Sequence, residues 1–136
     1  MAQAMPSYYE VPEYGAILTL LDAVLSELNL GLLIYRLESD DDPERLKLIY
    51  ANAEASRCTG VALDGRVGKY IGEAFPALAG TDVPATYLRV GRDGAAAHLG
   101  NVRYRDHELA ERTYSVRSFP MPMRCVGVLF ERAARP

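Results

Sequence analysis

The sequence lacks tryptophan and contains only two cysteines and two histidines among its 136 residues. Cys58 and Cys125 show neither a metal-ligand spacing nor a disulfide framework, so we expect two buried free thiols. His98 and His107 lie at a predicted strand entrance and in a predicted hairpin turn, where neither is placed as the base of a nucleophile. Because no catalytic arrangement is indicated, we expect a protein that is not an enzyme.

An excess of positive charge is also missing, since the formal net charge is −3. Charges of both signs are interspersed, so no basic face is available for a phosphate backbone. The apolar run at residues 31–35 is far shorter than the roughly 20 residues of a membrane-spanning helix. The N-terminus lacks the basic-then-apolar pattern of a secretory signal. We therefore expect a cytoplasmic protein that binds neither nucleic acid nor a membrane.

What the chain does contain is typical of one globular domain, with 49% hydrophobic and 24% charged residues. Residues 1–12 include two prolines without periodicity, which predicts a flexible N-terminal arm. Apolar residues then recur at intervals of three and four, which predicts an amphipathic helix over residues 13–29. Residues 30–132 are left as the domain itself.

Within residues 30–132 the hydrophobic pattern changes from alternating to helical and back. Strands are predicted at 32–38 and 46–51, helices at 53–59, 67–75 and 83–90, and strands at 97–105, 112–119 and 124–131. The acidic run at 40–44 is interpreted as a solvated turn rather than a metal site, and residues 106–110 as a polar hairpin turn. This order belongs to the α+β class.

One junction carries the most specific signal in the chain. Ile49 and Tyr50 favour an extended strand, and Asn52 follows them with a side chain able to cap a helix N-terminus. The small-residue helix that begins there reaches Gly60, which supplies the left-handed stop.

Two further motifs follow this junction, Gly-Arg at 65–66 and Glu-Ala-Phe-Pro at 73–76. Together with the order of elements, they resemble the PAS family of sensory domains over nearly the whole range from residue 30 to 131. The resemblance implies a PAS-like five-stranded antiparallel sheet, with short helices over one face and the amphipathic helix preceding it.

Strand parity predicts that both faces of this sheet are covered, because both parities of the first and last strands are apolar. We expect Leu32, Ile34, Val126, Val128 and Phe130 to face outward. Uncovered, they would form an apolar patch of a kind that monomers rarely expose. The PAS resemblance implies that the N-terminal helix covers this outer face and forms a homodimer there.

The opposite face is predicted to bind a small, partly apolar molecule, by register with the PAS family. Arg103, if it points inward, would favour a carboxylate group on that molecule, because a buried unpaired guanidinium is costly. The expected ligand-binding residues are Leu33, Tyr35, Cys58, Tyr70, Phe75, Tyr87, Arg103, Tyr114, Val116 and Leu129.

The identity of a cofactor stays unknown at this point. The flavin-binding LOV branch carries an Asn-Cys-Arg-Phe type motif where residues 68–71 read Gly-Lys-Tyr-Ile, and the haem-binding branch carries a histidine that residues 83–90 lack. Cys58 does not match the thioester cysteine of the hydroxycinnamate branch. We therefore expect neither a flavin adduct nor haem.

Two functions remain open. The first is a sensory module that relays a signal through a homodimer to an output domain such as a histidine kinase, as in two-component regulation. The alternative is a PAS-like interaction module that dimerises and has a filled core without a ligand. The usual Asp-Ile-Thr connector to an output domain is replaced at 130–134 by Phe-Glu-Arg-Ala-Ala.

Overall fold

The computed structural model describes residues 12–105 and 111–133. The predicted arm, apart from its last residue, and the predicted turn at 106–110 lie outside the described residues. The division into arm, helix and domain stays a prediction. The helices are α1 (Pro12–Glu27), α2 (Ala53–Thr59), α3 (Ile71–Ala74) and α4 (Val83–Asp93), and the strands are β1 (Gly31–Leu37), β2 (Leu46–Ala51), β3 (Ala97–Tyr104), β4 (Arg112–Met121) and β5 (Cys125–Arg132).

The five strands form one antiparallel sheet in the order β2-β1-β5-β4-β3. This confirms the predicted α+β class and strand count. The helix predicted at 67–75 is shorter than expected: a 3-10 turn covers Leu63–Arg66 and α3 begins only at Ile71. Gly68 separates them with a φ of +95°, a left-handed conformation that ends helical geometry.

Register in the middle of the sheet decides which side chains face the helices. In the β1–β5 pair, Leu33 lies opposite Val128 and Tyr35 opposite Val126. Directly opposed residues of an antiparallel pair point to the same face, so these four side chains lie together beneath the helices. All four are at most 6% exposed.

This register corrects the predicted parity of β5. Val126, Val128 and Phe130 belong to the main core between sheet and helices, whereas Cys125 and Leu129 belong to a second cluster on the outer face. The expected outward placement of the first three was therefore wrong. Alternation alone did not distinguish the two parities, because both are apolar.

Asn52 holds the start of α2 against β1. Its Oδ1 atom accepts hydrogen bonds from the backbone N–H groups of Ala55 at 2.8 Å and Leu32 at 2.9 Å, while Nδ2 donates to the carbonyl of Leu30 at 3.1 Å. The side chain is buried. At the other end of α2, Gly60 adopts a φ of +78° and donates its N–H to Ser56. The predicted cap and stop are both confirmed.

A second polar link joins the two short motifs after α2. The guanidinium of Arg66 donates to the carbonyl of Ala74 at 2.9 Å. That carbonyl lies at the end of α3, where helical carbonyls lack partners within the helix. This hydrogen bond therefore ties the Gly-Arg segment to the Glu-Ala-Phe-Pro segment.

The outer face of the sheet is covered largely by its own side chains. Leu32 and Ile34 are buried there with Cys125, and α1 adds Leu25 to the cluster. Gly127 makes room for a neighbour, because a Cβ atom at this position would stand 2.4 Å from the ring of Phe119. The outward placement of Leu32 and Ile34 is confirmed.

Replacement of Asn52 by alanine is expected to lower the free energy of unfolding by about 2 to 4 kcal/mol, because buried backbone groups lose their partner. Urea denaturation measures this change. Asp42→Ala is the matched control, since the Asp42 carboxylate caps a 3-10 turn through one hydrogen bond to Glu44 at 3.0 Å, with Glu44 exposed. The control should cost about 0.5 kcal/mol. Equal losses in the two variants would contradict the role given to Asn52.

Candidate functional site

A cavity of about 60 Å³ lies between the inner face of the sheet and the helices. Strands β1, β3, β4 and β5 form its floor, while the end of α2, the Phe75–Leu78 segment and α4 form its roof. The lining residues are Leu33, Tyr35, Thr59, Phe75, Leu78, Tyr87, Val102, Tyr104, Tyr114, Val116, Val128 and Phe130.

Several of the residues expected from the sequence line this cavity. They are Leu33, Tyr35, Phe75, Tyr87, Tyr114 and Val116. Whether they bind a ligand stays a prediction, but the structure brings them together around one space.

Arg103 does not reach the cavity, because its side chain is 80% exposed and stands 3.7 Å from the carboxylate of Glu111. In the β3–β4 register, Val102 and Tyr104 take the inner positions on either side of it, opposite Tyr114 and Arg112. The expectation of an inward Arg103 was therefore wrong. The expected preference for a carboxylate ligand loses its basis with it.

Tyr70 and Leu129 also lie outside the cavity lining. The hydroxyl of Tyr70 accepts a hydrogen bond from Arg45 at 3.3 Å, and the same guanidinium stacks over the Tyr70 ring. The backbone of Tyr70 forms an isolated antiparallel β-bridge with Lys47 on the edge strand β2, which places Tyr70 beside that strand. Leu129 follows the corrected parity of β5 and packs on the outer face.

Cys58 is buried in the main core without lining the cavity. Burial raises the pKa of its thiol, so the group stays protonated near neutral pH. Arg112 donates a hydrogen bond to the Cys58 carbonyl at 3.0 Å. The Arg112 guanidinium is therefore held on this side of the sheet by the end of α2.

Sequence reasoning missed half of the lining. The sequence pattern places Val128 and Phe130 on the opposite face of the sheet. Val102 and Tyr104 point to the cavity because they alternate along β3 with Arg103, which points outward. A signal was available in β5, because Val126, Val128 and Phe130 are bulkier than the alternate set that contains Gly127. The remaining missed residues are Thr59 and Leu78.

Aromatic side chains shape the walls of the cavity. Tyr35 and Tyr87 stack with ring centroids 5.7 Å apart. Tyr114 and Phe130 meet edge to face at 5.6 Å, and the Phe75 ring meets Tyr104 in the same manner. Such pairs hold their rings in defined orientations. The cavity is therefore bounded by fixed surfaces rather than by flexible aliphatic chains alone.

The hydroxyl of Tyr35 is the unusual polar group of this site. Tyr35 is fully buried, and within the described part of the chain its hydroxyl oxygen has no hydrogen-bond partner. Burial, with smaller contributions from Tyr87 and Tyr104, raises the pKa of Tyr35 well above its usual value. The group is therefore a protonated donor throughout the physiological range.

Among residues 12–105 and 111–133, no group of three or more histidine, cysteine, aspartate or glutamate side chains is arranged to hold a metal ion. None of the helices described there combines the length and apolar character needed to cross a membrane.

No family model and no curated protein matches the sequence. Solved structures do match. A domain of the sensory box sensor histidine kinase/response regulator from Geobacter sulfurreducens shares 12% identity with a TM-score of 0.63, over 90% of this chain and 98% of that one. The sensory box sensor histidine kinase from Vibrio cholerae shares 16% identity with a TM-score of 0.57, over 92% and 98%.

The blue-light activated histidine kinase of Erythrobacter litoralis EL346 matches at 14% identity with a TM-score of 0.59. That match covers 85% of this chain but spans only 36% of the kinase. These neighbours are sensory domains of the PAS and LOV type. The chain therefore has the PAS fold, as its motifs predicted.

The unpaired hydroxyl leads to a stability prediction. Tyr35→Phe should raise the free energy of unfolding by about 1 kcal/mol, because it removes a buried donor that lacks a partner. In the comparison variant Tyr70→Phe, which removes a hydroxyl that accepts a hydrogen bond from Arg45 at 3.3 Å, the free energy of unfolding should fall, by up to about 1 kcal/mol. Chemical denaturation compares the two, and destabilisation by Tyr35→Phe would contradict the unpaired state.

Proposed function

We propose that this chain is a non-catalytic PAS sensory module that binds a small, mainly apolar molecule and relays its presence through a homodimer. The output would be a linked domain or partner such as a histidine kinase. The observation that carries the proposal is the apolar cavity of about 60 Å³ into whose lining the unpaired Tyr35 hydroxyl is built. A core selected only for stability tends to fill such space and pair such groups.

The size of the cavity limits what it can hold as it stands. Its volume is well below the roughly 150 Å³ of an engineered apolar cavity that binds benzene or xenon, and below the roughly 300 to 1,000 Å³ of drug-sized sites. A molecule of a few heavy atoms could fit with little rearrangement. A larger one would require the helices to move, and a ligand-dependent movement is what a sensor needs.

Helix α2 supplies a route by which such a movement could reach α1. Its last residue, Thr59, lines the cavity. At its start, the backbone N–H of Ala53 donates to the carboxylate of Asp22 in α1 at 3.1 Å. Arg57 pairs with the buried Glu54 and also donates to the Asn29 side chain at 3.1 Å, just after α1 ends. Displacement of α2 would therefore pull on both contacts.

Helix α1 is the proposed dimerisation element. One stripe of its large apolar side chains is left exposed, with values between 39% and 69%. The spacing of three and four residues aligns them along one face, where a second copy of α1 could cover them. The stripe consists of Ile17, Leu20, Leu21 and Val24 in α1 and of Leu28 directly after its end.

A cytoplasmic location is also part of the proposal. Cys58 and Cys125 are both buried and free in the structure. Reduced thiols are the ordinary state of cysteines in the cytoplasm, whereas small secreted domains usually pair them.

The alternative function is a dimerising interaction module that senses nothing. The apolar stripe of α1 is equally consistent with a sensory module and with an interaction module. A test of whether the cavity binds a small molecule therefore distinguishes the two functions. Xenon is a suitable probe because it enters apolar cavities without requiring any polar partner. The full chain is used, with methyl and amide NMR signals recorded under xenon pressure.

In the wild type, xenon is expected to shift the methyl signals of Leu33, Val116 and Val128 and, through α2, the amide signals of α1. Val116→Trp should abolish the shifts by filling the space. Leu129→Met, on the outer face, is the matched control and should leave them intact. A wild type without xenon shifts at the lining methyl groups would favour the filled-core interaction module.

Paired replacement of Leu20 and Val24 by glutamate should convert a dimer into a monomer, because it places charges at the centre of the stripe. Light scattering coupled to size-exclusion chromatography measures the mass. Arg89→Glu, an exposed charge change on α4, serves as the control and should leave the dimer unchanged. A wild type that is monomeric at high micromolar concentration would contradict the role given to α1.

A further inference from the structure

Of the cavity-lining residues that the structure describes, none carries a charge. Arg103, which could have supplied a cation, points to solvent. Arg112, which does lie on the inner side, already donates to the Cys58 carbonyl at 3.0 Å. An ionised ligand would lose its hydration here without gaining a charged partner, which strongly disfavours binding. The site therefore selects against carboxylates and other ions.

Among the hydroxyl groups of the lining residues, that of Tyr35 stands out because it is buried without a hydrogen-bond partner among the described residues. It is fully buried, has no partner in the described part of the chain, and is held in place by stacking on Tyr87. Because it is protonated, it has one hydrogen to donate. A ligand group that only donates would leave this hydrogen unpaired, whereas an acceptor would satisfy it.

We infer that the ligand of this cavity is a small neutral molecule with a carbonyl-type acceptor, and that the Tyr35 hydroxyl donates to that acceptor. This inference rests on the proposed function of the cavity as a ligand site. It makes Tyr35 the residue that determines specificity, while the surrounding leucine, valine and aromatic side chains contribute contact area. Short ketones, aldehydes, esters and amides belong to this class.

Three probes of the same planar shape, each with four non-hydrogen atoms, separate the effects of a carbonyl acceptor, of apolar contact and of charge on binding. Acetone presents a neutral carbonyl, 2-methylpropene replaces the carbonyl oxygen by a methylene group, and acetate carries a charge. Dissociation constants are measured from methyl NMR titrations of the full chain. The wild type, Tyr35→Phe and Tyr70→Phe are compared, because Tyr70 carries a hydroxyl that lies outside the cavity.

Acetone is expected to bind the wild type and to bind Tyr35→Phe about tenfold more weakly, the usual scale for loss of one hydrogen bond. The affinity for 2-methylpropene should change less than twofold in either variant, and Tyr70→Phe should leave both affinities unchanged. Acetate should not shift the lining methyl signals at any concentration at which acetone does.

Two results would overturn the inference. One is an acetone affinity that does not depend on Tyr35, and the other is acetate binding as strongly as acetone. If either occurs while xenon still enters the cavity, the ligand class is wrong and the proposed sensory site stands. If neither xenon nor any of the three probes binds the wild type, the inference and the proposed function fail together.

Discussion

The antiparallel pairing of β1 with β5 is the constraint on which both faces of this protein depend. The two strands occupy adjacent positions inside the sheet, and each opposed pair sends its side chains to one face. Leu33 with Val128 builds the floor of the cavity, whereas Leu32 with Leu129 builds the outer cluster. A slip of one residue would exchange the two sets, because side chains alternate along a strand.

Polar contacts then place the helices on this sheet. Asn52 accepts hydrogen bonds from backbone groups of both β1 and the first turn of α2, so the start of this helix is held against β1. Asp22 attaches α1 to the same helix start, and Arg112 attaches β4 to its last turn. Helix α2 is therefore in direct contact with α1, β1 and β4, and its last residue lines the cavity.

The cavity is a local departure from the close packing expected of a protein core. Close packing is found directly beside the cavity, where a Cβ atom at Gly31 would stand 2.6 Å from the ring of the lining residue Phe130. The unpaired Tyr35 hydroxyl and the space beside it depart from that rule within the same core. Local departures of this kind cost stability and tend to be kept at functional sites, and for that reason the proposed site is placed here.

Local patterns in the sequence were enough to predict the helices and strands and the class of fold. Asn52 and Gly60 delimit α2, the alternating runs define the strands, and their order with the short motifs led to the PAS fold, because caps, turns and periodicity act over a few residues. The parity of β5, the outward direction of Arg103 and the unpaired state of the Tyr35 hydroxyl became apparent only in the folded chain. Both parities of β5 are apolar, so its pairing with β1, about ninety residues earlier in the chain, determines which side chains face the helices. The local sequence pattern of β5 contains no information about that pairing.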